Sequence, residues 1–261
     1  MVYDYGIIGA GAAGLQLALA MLDDPWFSGK EIVILDKDRK QENDKTWCFW
    51  EVGAGKWDEL VRKSWQFGKF ITKEHEEAFD LDPYRYKMLR SLDFYHYARK
   101  RLEQSENFTW LYKQVSDLKG EGPVSIITTD GDSIPVAHCF DSRIEPKRLP
   151  TSKKQINLLQ HFVGWLIRSS DKTFDPDSFT IMDYRPRLAS TTSFMYVLPI
   201  SDSEALIEYT FFSASLVDEE VYEEALVKYI RETLDIQQFE IWDTEQGIIP
   251  MTTYPFHHSS R

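Results

Sequence analysis

The stretch Tyr3–Met21, "YDYGIIGAGAAGLQLALAM", decides the fold. A short apolar strand ends in glycine and leads directly into a segment whose apolar residues follow helical spacing. The next apolar run, "KEIVILDKD" at Lys30–Asp38, is continuous and of strand length, which is typical of a buried parallel strand. The first 36 residues therefore predict a β-α-β unit of an α/β fold.

The turn between this strand and helix carries the spacing G-x-G-x-x-G at Gly9, Gly11 and Gly14. In a dinucleotide-binding turn the first glycine permits a tight turn, the second lets the backbone approach a pyrophosphate, and the third allows close helix packing. Asp36, 22 positions after Gly14, ends the second strand and can bind ribose hydroxyls. The predicted cofactor-binding residues are Gly9, Ala10, Gly11, Ala12, Ala13, Gly14 and Asp36. The alternative is a glycine-rich turn in an ordinary α/β protein.

The remaining pattern predicts a split domain. A helix is expected in "SLDFYHYARKRLEQ" from Ser91, a β-hairpin at 124–138, and mostly strands beyond residue 155, followed by an amphipathic helix after Asp218. A dinucleotide-binding glycine turn near the N-terminus, followed by a large sheet-rich insertion, favours FAD over NAD as the cofactor. This inference rests only on analogy with the layout of other folds. We therefore predict a Rossmann-type FAD-binding domain at 1–154, discontinuous and including the hairpin, with an inserted sheet-rich substrate domain at 155–245, as in flavin hydroxylases. Residues 246–261 are expected to return towards the first domain.

Charge, cysteine spacing and hydrophobic pattern argue against several classes of function. A net charge of −12 argues against a general role in nucleic-acid binding. The two cysteines, Cys48 and Cys139, have no metal-ligand spacing, so no metal is expected. The N-terminus lacks the features of a signal peptide, and no apolar run is long enough to span a bilayer. We expect a cytoplasmic protein.

The strand-like stretch "EALIEYTFFS", Glu204–Ser213, contains a carboxylate in an apolar run. Alternation predicts that Glu208 shares a face with Leu206, Thr210 and Phe212. Glu208 is either a solvent-facing residue on a half-exposed strand, which the pattern alone favours, or a carboxyl group held among apolar neighbours.

Several motifs, in order along the chain, resemble the lycopene cyclase family of flavoproteins, in particular its bacterial members. They are "YGIIGAGAAGLQLA" (5–18), "NDKTWCFWE" (43–51), "HCFDSR" (138–143), "LQHFVGW" (159–165) with "FTIMDYR" (179–185), "SFMYVLPISDSEALIEYTFFS" (193–213), and "GIIPM" (247–251) followed by "TYPF" (253–256). Members of that family continue into a glycine-rich flavin-contacting segment, so a C-terminal remainder is expected to be missing here.

The resemblance implies redox-neutral cyclisation of lycopene ends to β-ionone rings by acid/base catalysis with reduced FAD, and NADPH as the reductant. It assigns the catalytic acid to Glu208, which aligns with the glutamate of the family's Leu-Glu-x-Thr strand. Asp183 is a second catalytic candidate, or else a structural partner of Arg185 or Arg187. The substrate pocket is expected to include Thr46 and Trp47, the latter equally typical of a core.

Arg90, which precedes a helix, is expected to face the flavin phosphate or ring, with a surface ion pair as the alternative. The implied substrate, lycopene or a related acyclic carotenoid, dissolves in bilayers. We therefore expect peripheral membrane association, in which exposed aromatic residues such as those of "DPWF" (24–27) take part.

Two other functions stay open from sequence. A monooxygenase or prenyl reductase dependent on FAD and NAD(P)H would use the same cradle. A truncated, non-catalytic module that binds a carotenoid or a partner is the third possibility.

Overall fold

The computed structural model describes residues 2–120, 123–143, 155–189 and 191–253. These fall into two compact units, one formed by residues up to 44 and from 91 to 143, the other by residues 45–90 and 155–253. In chain order the elements are β1 (Tyr3–Ile8), α1 (Ala12–Asp23), β2 (Ile32–Leu35), β3 (Thr46–Val52), β4 (Val61–Trp65), β5 (Phe67–Ile71), β6 (Glu76–Asp80), β7 (Tyr84–Arg90), α2 (Ser91–Leu102), β8 (Phe108–Leu111), β9 (Val115–Lys119), β10 (Val124–Thr128), β11 (Ser133–Asp141), β12 (Asn157–Ser169), β13 (Ser178–Asp183), β14 (Thr192–Pro199), β15 (Glu204–Ser213), α3 (Glu219–Lys228) and β16 (Phe239–Thr252).

The first unit is built on a six-stranded sheet with the order β8-β2-β1-β11-β10-β9. The strands β8, β2, β1 and β11 run parallel, while β9, β10 and β11 form an antiparallel meander. All four residues of β2 are buried, as the continuous apolar run predicts. The β-α-β unit, the helix from Ser91 and the hairpin of β10 and β11 are confirmed.

The second unit contains a seven-stranded sheet with the order β16-β12-β15-β14-β13-β5-β6. On one face, Ile207, Tyr209 and Phe211 of β15 belong to a core that includes Tyr222 and Leu226 of α3. A helical turn of π type at Tyr229–Thr233 continues α3 and adds Tyr229 and Ile230 to this core.

The other face of the seven-stranded sheet lies against a three-stranded sheet with the order β3-β7-β4. Trp65 of β4 and Met88 of β7 form one buried cluster with Leu166 and Leu206 of the larger sheet. Strand alternation therefore gives β15 two different environments: odd-numbered residues face α3, and even-numbered residues, Glu208 among them, face the smaller sheet.

The observed division of the chain differs from the predicted boundaries at two places. Residues 45–90, predicted within the first domain, lie in the second unit, because β5 pairs in parallel with β13. Residues 246–252, predicted to return to the first domain, instead extend β16 and pair with β12 as far as Thr252. The rest of the predicted return segment from 254 onward, with most of "TYPF", lies outside the described residues.

In the part of the chain that the structure describes, none of the helices combines the length and hydrophobicity needed to cross a bilayer. Across the same residues, no group of three or more His, Cys, Asp or Glu side chains is arranged to hold a metal ion.

Candidate functional site

The glycine turn after β1 has the geometry of an anion cradle. Gly9 has a positive φ of 95°, and a Cβ on Gly14 would lie 1.9 Å from the carbonyl oxygen of Gly9. A Cβ on Gly11 would meet no heavy atom within 4 Å, so the space beside this residue is open. Ala12 and Ala13 begin α1, whose first backbone N–H groups favour a negatively charged ligand.

Asp36 lies at the carboxyl end of β2, beside this turn. Its Oδ2 accepts a hydrogen bond from the Ala10 N–H at 2.7 Å, and its Oδ1 accepts one from the Asp38 N–H at 2.9 Å. A cleft of about 350 Å³ opens here and is lined by Ile8, Gly9, Leu35, Asp36, Lys37, Lys40, Lys113, Gln114, Val115 and Arg143. Its lining includes four cationic side chains, of which Lys40, Lys113 and Arg143 also form ion pairs with aspartates.

Asp44, in the motif "NDKTW", is held by the start of α2. It accepts hydrogen bonds from the Ser91 hydroxyl at 2.9 Å and the Tyr95 hydroxyl at 2.8 Å. Burial alone would raise the pKa of Asp44, but these hydrogen bonds and the nearby Lys40 lower it below its usual value. The ionised form of Asp44 therefore stabilises this part of the first unit.

Glu208 lies at the centre of β15 with Gly164 of β12 opposite it on one side and Tyr196 of β14 on the other. Thr210 donates a hydrogen bond from Oγ1 to Glu208 Oε1 at 2.5 Å. The side chain is half-buried, and its strand neighbours Leu206 and Thr210 on the same face are buried. Of the two interpretations of the sequence, the enclosed carboxyl group is the one observed.

A second glutamate lies across the middle strand from Glu208. Gly164 is the cross-strand neighbour of both Glu208 and Glu245, the latter on β16. Glu245 is only 8% exposed, and Thr46 Oγ1 donates a hydrogen bond to its Oε2 at 2.5 Å. The two carboxyl groups are near enough for the charge of Glu245 to act on Glu208.

This environment changes the ionisation of Glu208. Burial, followed by the neighbouring Glu245 carboxylate, raises the pKa of Glu208 to about 8. Burial also raises the pKa of the facing Cys48 thiol to about 12 and those of the Tyr86 and Tyr196 phenols above their usual range. Glu208 can therefore carry a proton at neutral pH.

Aromatic rings cover much of the same face. Phe194 packs edge-on against Tyr196 with ring centroids 5.1 Å apart, and lies 6.1 Å from Phe212. Tyr86 of the smaller sheet stacks on Phe179 at 4.6 Å. The faces of such rings stabilise a nearby positive charge.

Of the predicted pocket residues, one lies at the two carboxyl groups and one does not. Thr46 contacts the carboxyl pair, and Arg90 is its cross-strand partner on β7. Trp47, the next residue of β3, belongs by alternation to the opposite face of that strand. The structure thus brings Thr46, but not Trp47, to Glu208 and Glu245.

Asp183 is separated from Glu208 by the sheet itself. Its carboxylate is fully buried, forms an ion pair with Arg185, and accepts a hydrogen bond from the Tyr229 hydroxyl at 2.7 Å. Tyr229 belongs to the core on the α3 face, opposite Glu208. This is the structural alternative that the sequence left open for Asp183.

Sequence reasoning missed Glu245 and its relation to Gly164. Gly164 is the next-to-last residue of the motif "LQHFVGW", and Glu245 lies two residues before the first glycine of "GIIPM", but neither fact shows that they adjoin Glu208. The missing signal is the register of β12 against β15 and β16.

Solved structures of other proteins share the fold of this chain. The chain resembles a geranylgeranyl bacteriochlorophyll reductase-like protein from Thermoplasma acidophilum (TM-score 0.67, 10% identity, 95% of this chain and 66% of that one). It also resembles the flavin-dependent brominase Bmp2 (0.64, 12%, 97% and 68%) and the halogenase PltM in complex with phloroglucinol and FAD (0.62, 13%, 95% and 59%). The chain thus spans about three-fifths to two-thirds of the length of these structures, and its fold is the mixed α/β fold of FAD-dependent reductases and halogenases.

Among curated proteins, none matches the sequence significantly. The family model described as "Lycopene cyclase protein" matches residues 4–259. Because this match spans nearly the whole chain, the protein belongs to the lycopene cyclase family.

Proposed function

We propose that the protein cyclises the ends of lycopene, or of a related acyclic carotenoid, to β-ionone rings by proton transfer without net redox change. The reaction needs an acid that protonates the terminal C1=C2 bond, closure of the ring by attack of C5=C6 on the resulting cation, and a base that removes a proton from C6. The observation that carries the proposal is the enclosed Glu208 carboxyl with its raised pKa.

Glu208 acts as the acid. A carboxyl group whose neutral form is favoured by burial and by a like charge is a proton donor near neutral pH. The rings of Phe194, Tyr196 and Phe212 on the same sheet face favour positive charge on the carbons beside it.

FAD is the proposed cofactor, and the first unit fits it. The pyrophosphate would bind at Gly9–Gly14, where Gly14 excludes any side chain and Gly11 leaves open space, and Asp36 would bind the ribose. Arg90 remains a proposed contact to the flavin. Reduced FAD, when bound, would supply an electron-rich ring that stabilises positive charge electrostatically, and NADPH would keep it reduced.

The proposed substrate is dissolved in a bilayer, so we also propose a cytoplasmic protein that docks peripherally on a membrane. Trp26, in the short helical turn Pro25–Phe27, supports this because its side chain is 70% exposed. An exposed tryptophan is a favourable contact with the interfacial region of a bilayer.

The test is pigment chromatography of a lycopene-accumulating bacterial host that expresses the full-length protein or its E208Q variant. E204Q is the matched control, because Glu204 lies on the same strand and is bound to Arg168 at the surface. We expect cyclic carotenes from the wild type and E204Q, and lycopene alone from E208Q.

Cyclic carotenes from E208Q would reject Glu208 as the acid. Unchanged lycopene in a host that makes flavin-loaded wild-type protein would reject the cyclase function. In that case, NADPH consumed in proportion to product would favour the monooxygenase or prenyl reductase alternative.

A further inference from the structure

We propose that Glu245 is a positioning residue that shares one proton with Glu208 across Gly164, so that Glu208 holds the proton and Glu245 holds the negative charge. The role of this pair in cyclisation rests on the proposed function. The sharing itself is a property of the folded chain and is testable without substrate.

The geometry depends on three adjacent strands. Gly164 of β12 is in register with Glu208 of β15 on one side and with Glu245 of β16 on the other. A Cβ built on Gly164 would lie 3.4 Å from Glu208 Cβ and 3.2 Å from Glu245 Cγ, so both side chains extend over the position that a larger residue would fill. The absence of a side chain at Gly164 is what lets the two carboxyl groups meet.

The surroundings of the two carboxyl groups are unequal. Burial raises the pKa of Glu245, but Thr46 Oγ1 donates a hydrogen bond to its carboxylate and Lys45 lies near enough to favour its charge, although Asp243 opposes it. Glu208 accepts one hydrogen bond, from Thr210. Because donors and a cation stabilise the ionised form, the negative charge of the pair belongs on Glu245 and the proton on Glu208.

The other described titratable groups that interact with Glu208 stay neutral in this range. These groups are Cys48 on β3, Tyr86 on β7 and Tyr196 on β14. Of the described residues that interact with Glu208, Glu245 is therefore the one that supplies a charge, and its removal should change the ionisation of Glu208 in a single direction.

The pair also accounts for the second proton transfer. When Glu208 protonates C1=C2, two neighbouring carboxylates are left with like charges, and their repulsion favours return of a proton. C2 and C6 are both bonded to C1 in the new ring, so one carboxyl pair can serve both carbons. The proton lost from C6 then restores the pair, and no proton is consumed overall.

The experiment is an infrared titration of the purified protein between pH 5 and 10, following the C=O stretch of protonated carboxyl groups. Most carboxyl groups are already ionised over the upper part of this range. The variants are E208Q, E245Q, the shorter but still charged E245D, and E240Q, a matched control whose carboxylate lies on the same strand next to Arg168. Thermal unfolding checks that each variant is folded.

We expect one carboxyl band to titrate above neutral pH in the wild type and E240Q, and to be lost in E208Q. In E245Q its midpoint should fall by about one to three pH units, because a neighbouring like charge is removed while the amide oxygen can still accept from Thr46. In E245D the midpoint should lie between those of the wild type and E245Q.

An unchanged midpoint in E245Q, or a band above neutral pH that persists in E208Q, would overturn the proposal. If E245Q does not fold, the other two variants decide. The proposal is then overturned if E245D has the same titration midpoint as the wild type and the band above neutral pH survives in E208Q. If the midpoints move as expected but the wild type makes no cyclic carotene, the carboxyl pair stands and the proposed function fails.

Discussion

Replacing Gly164 with alanine tests whether this glycine is the spacer of the carboxyl pair. The added Cβ would lie 3.0 Å from Leu206 Cδ1 and 3.2 Å from Glu245 Cγ, closer than ordinary van der Waals contact. Overpacking of this kind costs about 1–3 kcal/mol, whereas the lower freedom of the unfolded chain returns about 0.4–1 kcal/mol. We therefore expect G164A to lower the free energy of unfolding by about 0.5–2 kcal/mol, measured by urea unfolding followed by tryptophan fluorescence.

The control is G29A, because a Cβ on Gly29 would meet no heavy atom within 4 Å and its φ is not positive. That variant should be unchanged or slightly more stable. A double variant, G164A with E245A, should recover part of the loss, since truncation of Glu245 removes one of the atoms that the new Cβ meets.

G164A should also separate the two carboxyl groups, so the infrared midpoint assigned to Glu208 should fall. A G164A protein as stable as G29A, with the wild-type titration midpoint, would refute the reasoning that the missing side chain holds the pair together.

Three further predictions concern other parts of the chain. G14A should lower both the thermal unfolding midpoint and the flavin content of purified protein, because its Cβ would meet the Gly9 carbonyl oxygen at 1.9 Å, whereas G11A should lower flavin content alone; equal stability of G14A and wild type would contradict this. D44N should lower the free energy of unfolding at pH 7, and the difference should shrink as the pH falls below the ordinary pKa of an aspartate towards the lower pKa of Asp44, as urea unfolding at pH 7 and pH 3 would show. D183N should cost about 1–3 kcal/mol of stability while leaving cyclic carotene formation by the folded protein intact; loss of product without loss of stability would make Asp183 catalytic.

Local spacing was enough to predict the β-α-β unit with its glycine turn and the face of Glu208. The glycine turn, β1, α1 and β2 all lie within 36 residues, so the sequence pattern contains every partner of the motif. Alternation along β15 likewise placed Glu208 on the same face as Leu206 and opposite Phe211, because the period of a strand is fixed by its backbone.

Contacts between distant segments could not be predicted in this way. Alternation gives the face of Glu208 but not the strand beside it, and a slip of one residue in the register of β12 would move Gly164 to the other face. The partner of Asp183 illustrates the same limit: Tyr229 lies 46 residues further on, in a helical segment whose position on the sheet depends on tertiary packing. The membership of β5 in the second unit similarly depends on its pairing with β13, more than 100 residues away in sequence.

The same register explains how a sheet could hold the two carboxyl groups in the arrangement that the proposed proton transfer needs. Neighbouring strands lie about 4.8 Å apart, so residues on the two strands that flank β12 are separated by roughly 10 Å at the backbone. Two glutamate side chains can span that distance only if they lean towards each other, and any side chain on the middle strand would stand between them. A glycine at residue 164 removes that obstacle, while the hydrogen-bonded ladders on both sides hold the flanking strands at fixed separation. Because the sheet itself sets the distance between the carboxyl groups, the proposed sharing of a proton does not depend on a mobile loop, and the proposed acid would be in place before a substrate arrives.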